Sequence, residues 1–458
     1  MGRSAITRRR FVAGGLGTAG VLATSQAAAL SRPLAWLTSH GRPLRAPGSL
    51  PRPFDPIGTP GAPREIDTVV VLMLENHSFD NILGLLPYQV RSRREVDGLP
   101  GNGLVPLATN PDSNGNPVQS FHLPDDCPSE GLTQNWNSSH NQYDGGRNDG
   151  FVTNANSTTP MGYFDDTDFP VTYALATHFP VNERYFCSVL GQTDPNRLYL
   201  FCATSNGQTN DTIAPLLAPI PSGSIFDQLD AAQIPWTVYF GNEPSPELVE
   251  NFRNNPAQVA KCVSNAQFST DAAAGKLPSV AFVEPNFSVQ SEENPQDVAF
   301  GENFLLQVVT ALFQSPQWHS TALFVTYDEH GGYYDHVPPP PAIPPDEVAP
   351  LLGQPGEGTA PGGFDRYGFR VPFTVISPWA RPRYVSRFVS DHTSILSFIE
   401  HKWNLPAMTR RDANAWPLFD MFDMRRPHFR TAPQLPPGPS IDATLAQCIA
   451  DGHNPPTF

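Results

Sequence analysis

Two apolar runs of the same design stand out from the polar background of this chain. Val69 to Leu74 is six apolar residues long, opens with three consecutive valines, and ends directly in Glu75, Asn76 and His77. Ala322 to Tyr327 repeats the pattern and ends in Asp328, Glu329 and His330, with Gly331 and Gly332 following. Short β-branched runs that are apolar at nearly every position predict strands buried on both faces of a sheet. Polar groups at the end of a buried strand are costly unless something uses them, and the strand ends of α/β proteins are where their chemistry sits. Trp236–Phe240, Val280–Val283 and Val371–Pro378 read as further strands, and Tyr185–Leu190 as another buried one. Helices are predicted over Thr172–Phe179, from an Asp194 N-cap through Pro195 to Ala203, over Phe300–Phe313, and from Asp391 through Trp403. Apolar residues at 304, 305, 308, 309, 312 and 313 give the third of these helical spacing, and Phe304 and Leu312 read as core. Strands alternating with helices make an α/β protein.

The two strand ends suggest a metal site. Neighbouring side chains of a regular strand point to opposite faces, so Glu75 with Asn76, or Asp328 with Glu329, converge only where the backbone leaves strand geometry. Gly331 and Gly332 supply that freedom on one side. Four oxygen-bearing side chains form a hard donor set suited to a divalent cation. The competing reading is a pair of solvated acidic loops. A helix beginning near Asp194 would place Thr193 at its positive end, where a phosphate is favoured.

Glu75 to Asp80, Tyr327 to Pro340, and Thr193 to Arg197 together resemble the signatures of a family of bacterial and plant phosphoesterases. That family includes phosphatidylcholine-cleaving phospholipases C and related acid phosphatases, and the similarity runs from about Ile66 to Asp423. The resemblance implies an alkaline-phosphatase-like fold, a central mostly parallel sheet flanked by helices with long loop insertions. It implies one divalent metal cation held by the residues matching Glu75, Asn76, Asp328 and Glu329, and a nucleophile at Thr193 whose hydroxyl also contacts the metal. Arg197 is then a candidate for meeting phosphoryl charge, and His330 and His336 for proton transfer or phosphate contact. His392 is within reach of the same site, although helix capping by Asp391 accounts for its segment. The chain departs from the family at Gln134 and Asn294, where relatives carry histidine, while His140 is retained. The expected substrate is a phosphate ester, either a phospholipid or a small phosphomonoester. A metal-binding relative with little turnover is the alternative from another class, because neutral amides cannot transfer a proton by changing charge state.

Composition narrows the setting. The formal charge is −15, which disfavours nucleic acid as a partner, and 51 prolines with 35 glycines imply long loops. Thr7 to Val12 resembles a twin-arginine export signal around Arg8 and Arg9, followed by a Gly- and Ala-rich stretch with Ala27-Ala28-Ala29 as a cleavage site. Loss of that segment would remove four arginines and no acids, taking the charge from −15 to −19. The expected organisation is a signal peptide over 1–29, a Pro-rich linker or wrapped extension over 30–64, a catalytic domain over 65–430 and a tail over 431–458. The export machinery is then a partner, the mature form has no transmembrane anchor, and the protein is secreted or held at the cell envelope. Leu85–Pro160 reads as a long excursion over the active end of the sheet. Five cysteines show no metal-type spacing; Cys187 with Cys202 is one conceivable pair.

Overall fold

Both apolar runs become central strands. In chain order the main-sheet strands are Thr68–Leu74 (β1), Val181–Asn182 (β2), Trp236–Phe240 (β3), Cys262–Ser264 (β4), Val280–Val283 (β5), Thr321–Tyr327 (β6), Phe373–Ile376 (β7) and Val385–Ser386 (β8). The computed structural model describes residues 44–128, 132–211 and 219–458, so the expected signal peptide and the start of the linker lie outside the described residues. Across the sheet the order is β8-β2-β7-β6-β1-β5-β3-β4. Only β7 runs against its neighbours, β6 and β2; the other pairings are parallel. Every residue of β1 and β6 is buried, as two-sided apolar runs require. A charge introduced at Val71 would be unpaired and would break the sheet.

The flanking helices used below are Phe79–Leu83 (α1), Pro170–His178 (α2), Thr193–Cys202 (α3), Ala266–Ala273 (α4), Val298–Gln314 (α5), His392–Trp403 (α6) and Ile441–Ala450 (α7). Helix α5 packs against α4 and α2, burying Phe304, Leu305, Val308, Val309 and Leu312, the stripe that the sequence marks as core. Asp297 caps α5 by accepting the Ala299 N–H. Helix α6 packs on α3 and begins at Asp391, as expected. Among the described residues no helix is long and apolar enough to cross a membrane.

Four local expectations change. Tyr185–Leu190 is buried but is not a regular strand; it holds isolated bridges from Tyr185 to Ser390 and from Phe186 to Arg370, and the strand lies earlier, at β2. Helix α3 starts one residue before Asp194, with Gln192 at the N-cap and Thr193 as the first helical residue. Residues 45–64 lie along the end of α6, where Arg52 N–H donates to Asn404 and Gly61 N–H to the Lys402 carbonyl. The C-terminal segment carries α7, which a Cys127–Cys448 disulfide fastens to the excursion, whereas Cys187 and Cys202 are buried free thiols.

Candidate active site

Register builds the site. β1 and β6 pair in parallel with Leu74 opposite Tyr327, so the two polar strand ends emerge side by side. Asn76 then leaves strand geometry at φ 68°, and Gly331 and Gly332 do so at 63° and 82°. Gly331 passes so close to Asn76 that a Cβ there would sit 1.8 Å from the Asn76 carbonyl oxygen, which excludes any other residue. The Asn76 N–H donates to Asp328 Oδ1 at 3.0 Å, stitching the two turns together.

Helix α3 approaches these turns end-on. Thr193 Oγ1 donates to Asn76 Oδ1 at 3.5 Å and also hydrogen-bonds Asp328. One turn later on the same helix face, Arg197 is buried with Nε 3.2 Å from Asp328 Oδ2 and Nη2 3.4 Å from Glu75 Oε1. Its guanidinium lies over the Phe287 ring at 4.7 Å. Burial works against this charge, and Asp328 and Glu75 more than restore it.

The carboxylates are in surplus. Burial pushes Glu75 and Glu329 well above the usual range and raises Asp328 as well, with mutual repulsion adding to it at Glu75 and Glu329. Glu293, hydrogen-bonded to Asn76, is raised for the same reason. Glu329 Oε1 is buried and has no hydrogen-bond partner among the described residues. Glu75, Asp328 and Glu329 do not form a set with all ligand atoms within 4.8 Å of one another, and Arg197 is paired with two of them. An orphaned buried oxygen, raised carboxyls and an all-oxygen donor set nonetheless fit a hard divalent cation.

A cleft of about 450 Å³ opens onto this group, and Glu75, Thr193 and Arg197 line it. Its walls carry Asp194, which the sequence marks only as a helix cap, and residues given no site role there: Asp211, Glu243, Glu247 and Glu293, with Arg253 as a cation. Asp211 takes the Asp194 N–H at 2.8 Å, occupying one of the helix-end donors expected for phosphate, and burial pushes it up to about 8. Asp211 and Glu243 lie in loops without a motif, so only their charge distinguished them in the sequence. A second cleft of about 360 Å³, between α4 and α5, is lined by no titratable side chain.

The histidines are placed differently from one another. His330 is buried between Glu329, 3.1 Å from Nδ1, and Gln142 Oε1, 2.8 Å from Nε2; burial pushes it down to about 3, so it is neutral. His392 is also buried and neutral, with Nε2 2.7 Å from the Asp328 carbonyl oxygen. His77 bridges Asn81 and the Glu292 carbonyl. His336 does not line the cleft; it sits in a separate ionic group with Asp80, Asp97 and Arg370. His140 stacks on Trp136 at 4.2 Å. Of the two departures, Asn294 accepts the Tyr333 hydroxyl at 3.0 Å and the Gln134 carbonyl accepts the Ser139 hydroxyl; neither residue lines the cleft.

The chain belongs to the Phosphoesterase family, whose model matches residues 66–406, and by that membership it is a phosphoric ester hydrolase. Non-specific phospholipase C1 of Arabidopsis thaliana is 33% identical over 396 residues, covering 79% of this chain and 71% of that protein. Phospholipase C A of Mycobacterium tuberculosis is 32% identical over 442 residues, covering 85% of this chain and 84% of that one. Among solved structures, a protein in the alkaline phosphatase superfamily from Vibrio parahaemolyticus aligns over 72% of this chain and 78% of its own, at 13% identity and a TM-score of 0.34. A likeness that remote carries no argument about chemistry.

Proposed function

We propose that this phosphoesterase is an exported, divalent-metal-dependent enzyme of the phospholipase C type that works through a phosphothreonine at Thr193. The observation that carries the reading is the position of Thr193 Oγ1, first residue of a helix, 3.5 Å from Asn76 Oδ1 among buried carboxylates and open to the cleft. Glu75, Asn76, Thr193, Asp328 and Glu329 would hold the cation. When bound, it supplies positive charge that favours the ionised threonine hydroxyl and offsets charge on the phosphoryl group. Asp328 also hydrogen-bonds the Thr193 hydroxyl, which puts a carboxylate within reach of its proton. The Thr193 oxygen bonds to phosphorus as the bond from phosphorus to the substrate alcohol breaks, and that alcohol leaves with the proton given up by Thr193. Water then bonds to phosphorus as the Thr193–phosphorus bond breaks, one of its hydrogens restoring the Thr193 hydroxyl. Arg197, held by Glu75 and Asp328, positions those two carboxylates rather than standing free for phosphate.

The cleft wall favours a diester over a monoester. Asp194, Glu243 and Glu247 outnumber Arg253 on that wall, and a surplus of acids repels a dianionic monoester more than a singly charged diester. The substitutions at Gln134 and Asn294 fall outside the cleft lining, which supports turnover over a binding-only role. Assays of the purified chain against phosphatidylcholine vesicles and a small phosphomonoester, across a panel of divalent metals, should show faster turnover of the lipid. Preference for the monoester would overturn the substrate reading. Thr193→Val should lose orders of magnitude in turnover and Thr193→Ser should keep activity; a valine variant at the parental rate would remove the phosphothreonine. Export is tested by Arg8→Lys with Arg9→Lys, which should leave the protein inside the cell.

A further inference from the structure

The disulfide that fastens α7 lies in a cluster of metal-binding side chains far along the chain from the catalytic strand ends. Cys127 Sγ is 3.7 Å from His453 Nδ1, and the same nitrogen is 3.2 Å from Asp125 Oδ1. Asp125, Cys127 and His453 each present a ligand atom within 4.8 Å of the others, and Cys448 adds a second sulfur through its bond to Cys127. Both cysteines are wholly buried, and the Asp125 side chain is nearly so. Zinc bonds of about 2.0–2.3 Å set the edges of a tetrahedron at about 3.3–3.8 Å. The sulfur-to-nitrogen distance already falls in that range and the nitrogen-to-oxygen distance is about 0.1 Å short of it.

We infer that Asp125, Cys127, Cys448 and His453 form a zinc site once the disulfide is reduced. Two thiolates, an imidazole and a carboxylate are a donor set for tetrahedral zinc and a poor one for calcium or magnesium. The site and the disulfide are alternative clasps for the same helix. One holds α7 where thiols stay reduced, the other where they are oxidised. In the reductive step a phosphine gives two electrons to the sulfur–sulfur bond and takes the oxygen of one water, and the two hydrogens of that water go to the sulfurs. Zinc binding then releases both thiol protons. Neither thiolate takes part in the chemistry proposed at Thr193, and the cleft does not include this cluster.

Cobalt(II) is the probe that separates this site from the all-oxygen one, since only thiolate ligands give an intense sulfur-to-cobalt charge-transfer band. The full chain, reduced with a phosphine and titrated with cobalt, should gain that band together with the visible bands of a tetrahedral ion. Zinc should displace both. The oxidised chain should show neither, and its zinc stoichiometry should be one lower than that of the reduced chain. His453→Ala should keep the disulfide in the oxidised chain and weaken zinc binding of the reduced chain at least about ten-fold. Cys127→Ser with Cys448→Ser should abolish the band, which excludes Cys187, Cys202 and Cys262 as its source. A reduced chain that keeps its circular dichroism without the band overturns the proposal. So does one that unfolds whether or not cobalt is present.

Discussion

Two ionic groups grow from the ends of the same two strands, and they are balanced in opposite ways. The first, immediately beyond β1 and β6, pairs Glu75 and Asp328 with Arg197 and sets Glu329 beside them, its Oε1 without a hydrogen-bond partner among the described residues. The second, a few residues further along both segments, gathers Asp80, Asp335 and His336 around Arg370. There Arg370 Nε meets both Asp335 oxygens at 2.9 and 3.1 Å, and Nη2 meets Asp80 Oδ1 at 2.9 Å. His336 closes the ring with Nδ1 2.6 Å from Asp80 Oδ2 and Nε2 3.2 Å from Asp97 Oδ1. Burial opposes the Asp80 charge, and His336 and Arg370 overcome it and hold Asp80 below its usual range. Burial likewise opposes the His336 charge, and Asp80 with Asp97 outweighs it and pushes the imidazole up to about 9. Buried charge that is matched holds a structure together, whereas buried charge in surplus is set to receive a cation. On the proposed reading, the pair of groups separates chemistry from scaffold within one short stretch of chain.

The largest expected effect falls on the surplus group. Asp328→Asn removes one of three buried carboxyls, relieving repulsion while deleting a proposed ligand. Metal content and turnover should collapse by orders of magnitude, while the melting temperature of the metal-free protein holds or rises. Elemental analysis with a thermal melt in chelator checks both. A variant that keeps its metal, or that unfolds in chelator when the parent does not, would erase the distinction between the groups.

Arg370→Met should do the reverse. It strands Asp80 and Asp335 without their cation, and breaking a buried pair from one side costs about 3–5 kcal/mol. Denaturant titration should show that loss, and the protein still folded should bind metal as the parent does.

These contrasts also mark what could be read in the sequence. Both central strands, their acidic ends and the core stripe of α5 are local patterns of period and polarity and stand where the pattern puts them, and the helix at Thr193 is there as expected but begins earlier, with Gln192 rather than Asp194 at its cap. Arg370 is not local: it meets Asp80 across 290 positions, and nothing in its own segment distinguishes it from a surface arginine. The Cys127–Cys448 bond closes 321 positions, so spacing was silent, and the nearer candidates Cys187 and Cys202 are each enclosed by the core. Tyr185–Leu190 misled for a related reason. Burial is visible in composition, but whether a buried run finds ladder partners depends on distant segments, here Ser390 and Arg370.

A smaller effect should appear in alkaline solution. His336 has a folded value of about 9 against an ordinary 6.5, so its contribution is complete below about 6.5 and fades as the pH rises through 9. The shift corresponds to about 3 kcal/mol at most. The parent should lose stability between pH 7 and 10, and His336→Gln should be less stable at pH 7 with a flatter profile across that range. Parallel profiles for the two proteins would mean that His336 is not a charged member of the balanced group.

The smallest effect tests the link between the groups. Ser78 stands between Glu75 and Asp80 and caps α1, its Oγ accepting the Asn81 N–H at 3.1 Å while donating to the Tyr334 carbonyl at 2.7 Å. One hydroxyl therefore fixes the helix that carries Asp80 and ties it to the loop that carries Asp335 and His336. Ser78→Ala loses the cap and leaves the Tyr334 carbonyl without this donor, a cost of about 1 kcal/mol. Gly331 and Asn76 are locked to each other by their own close approach, independently of this hydroxyl, so the proposed metal ligands should not move. The expected outcome is a melting temperature lowered by a few degrees with unchanged metal affinity and KM. If metal affinity falls along with stability, the scaffold group also sets ligand geometry, and the two groups act as one unit.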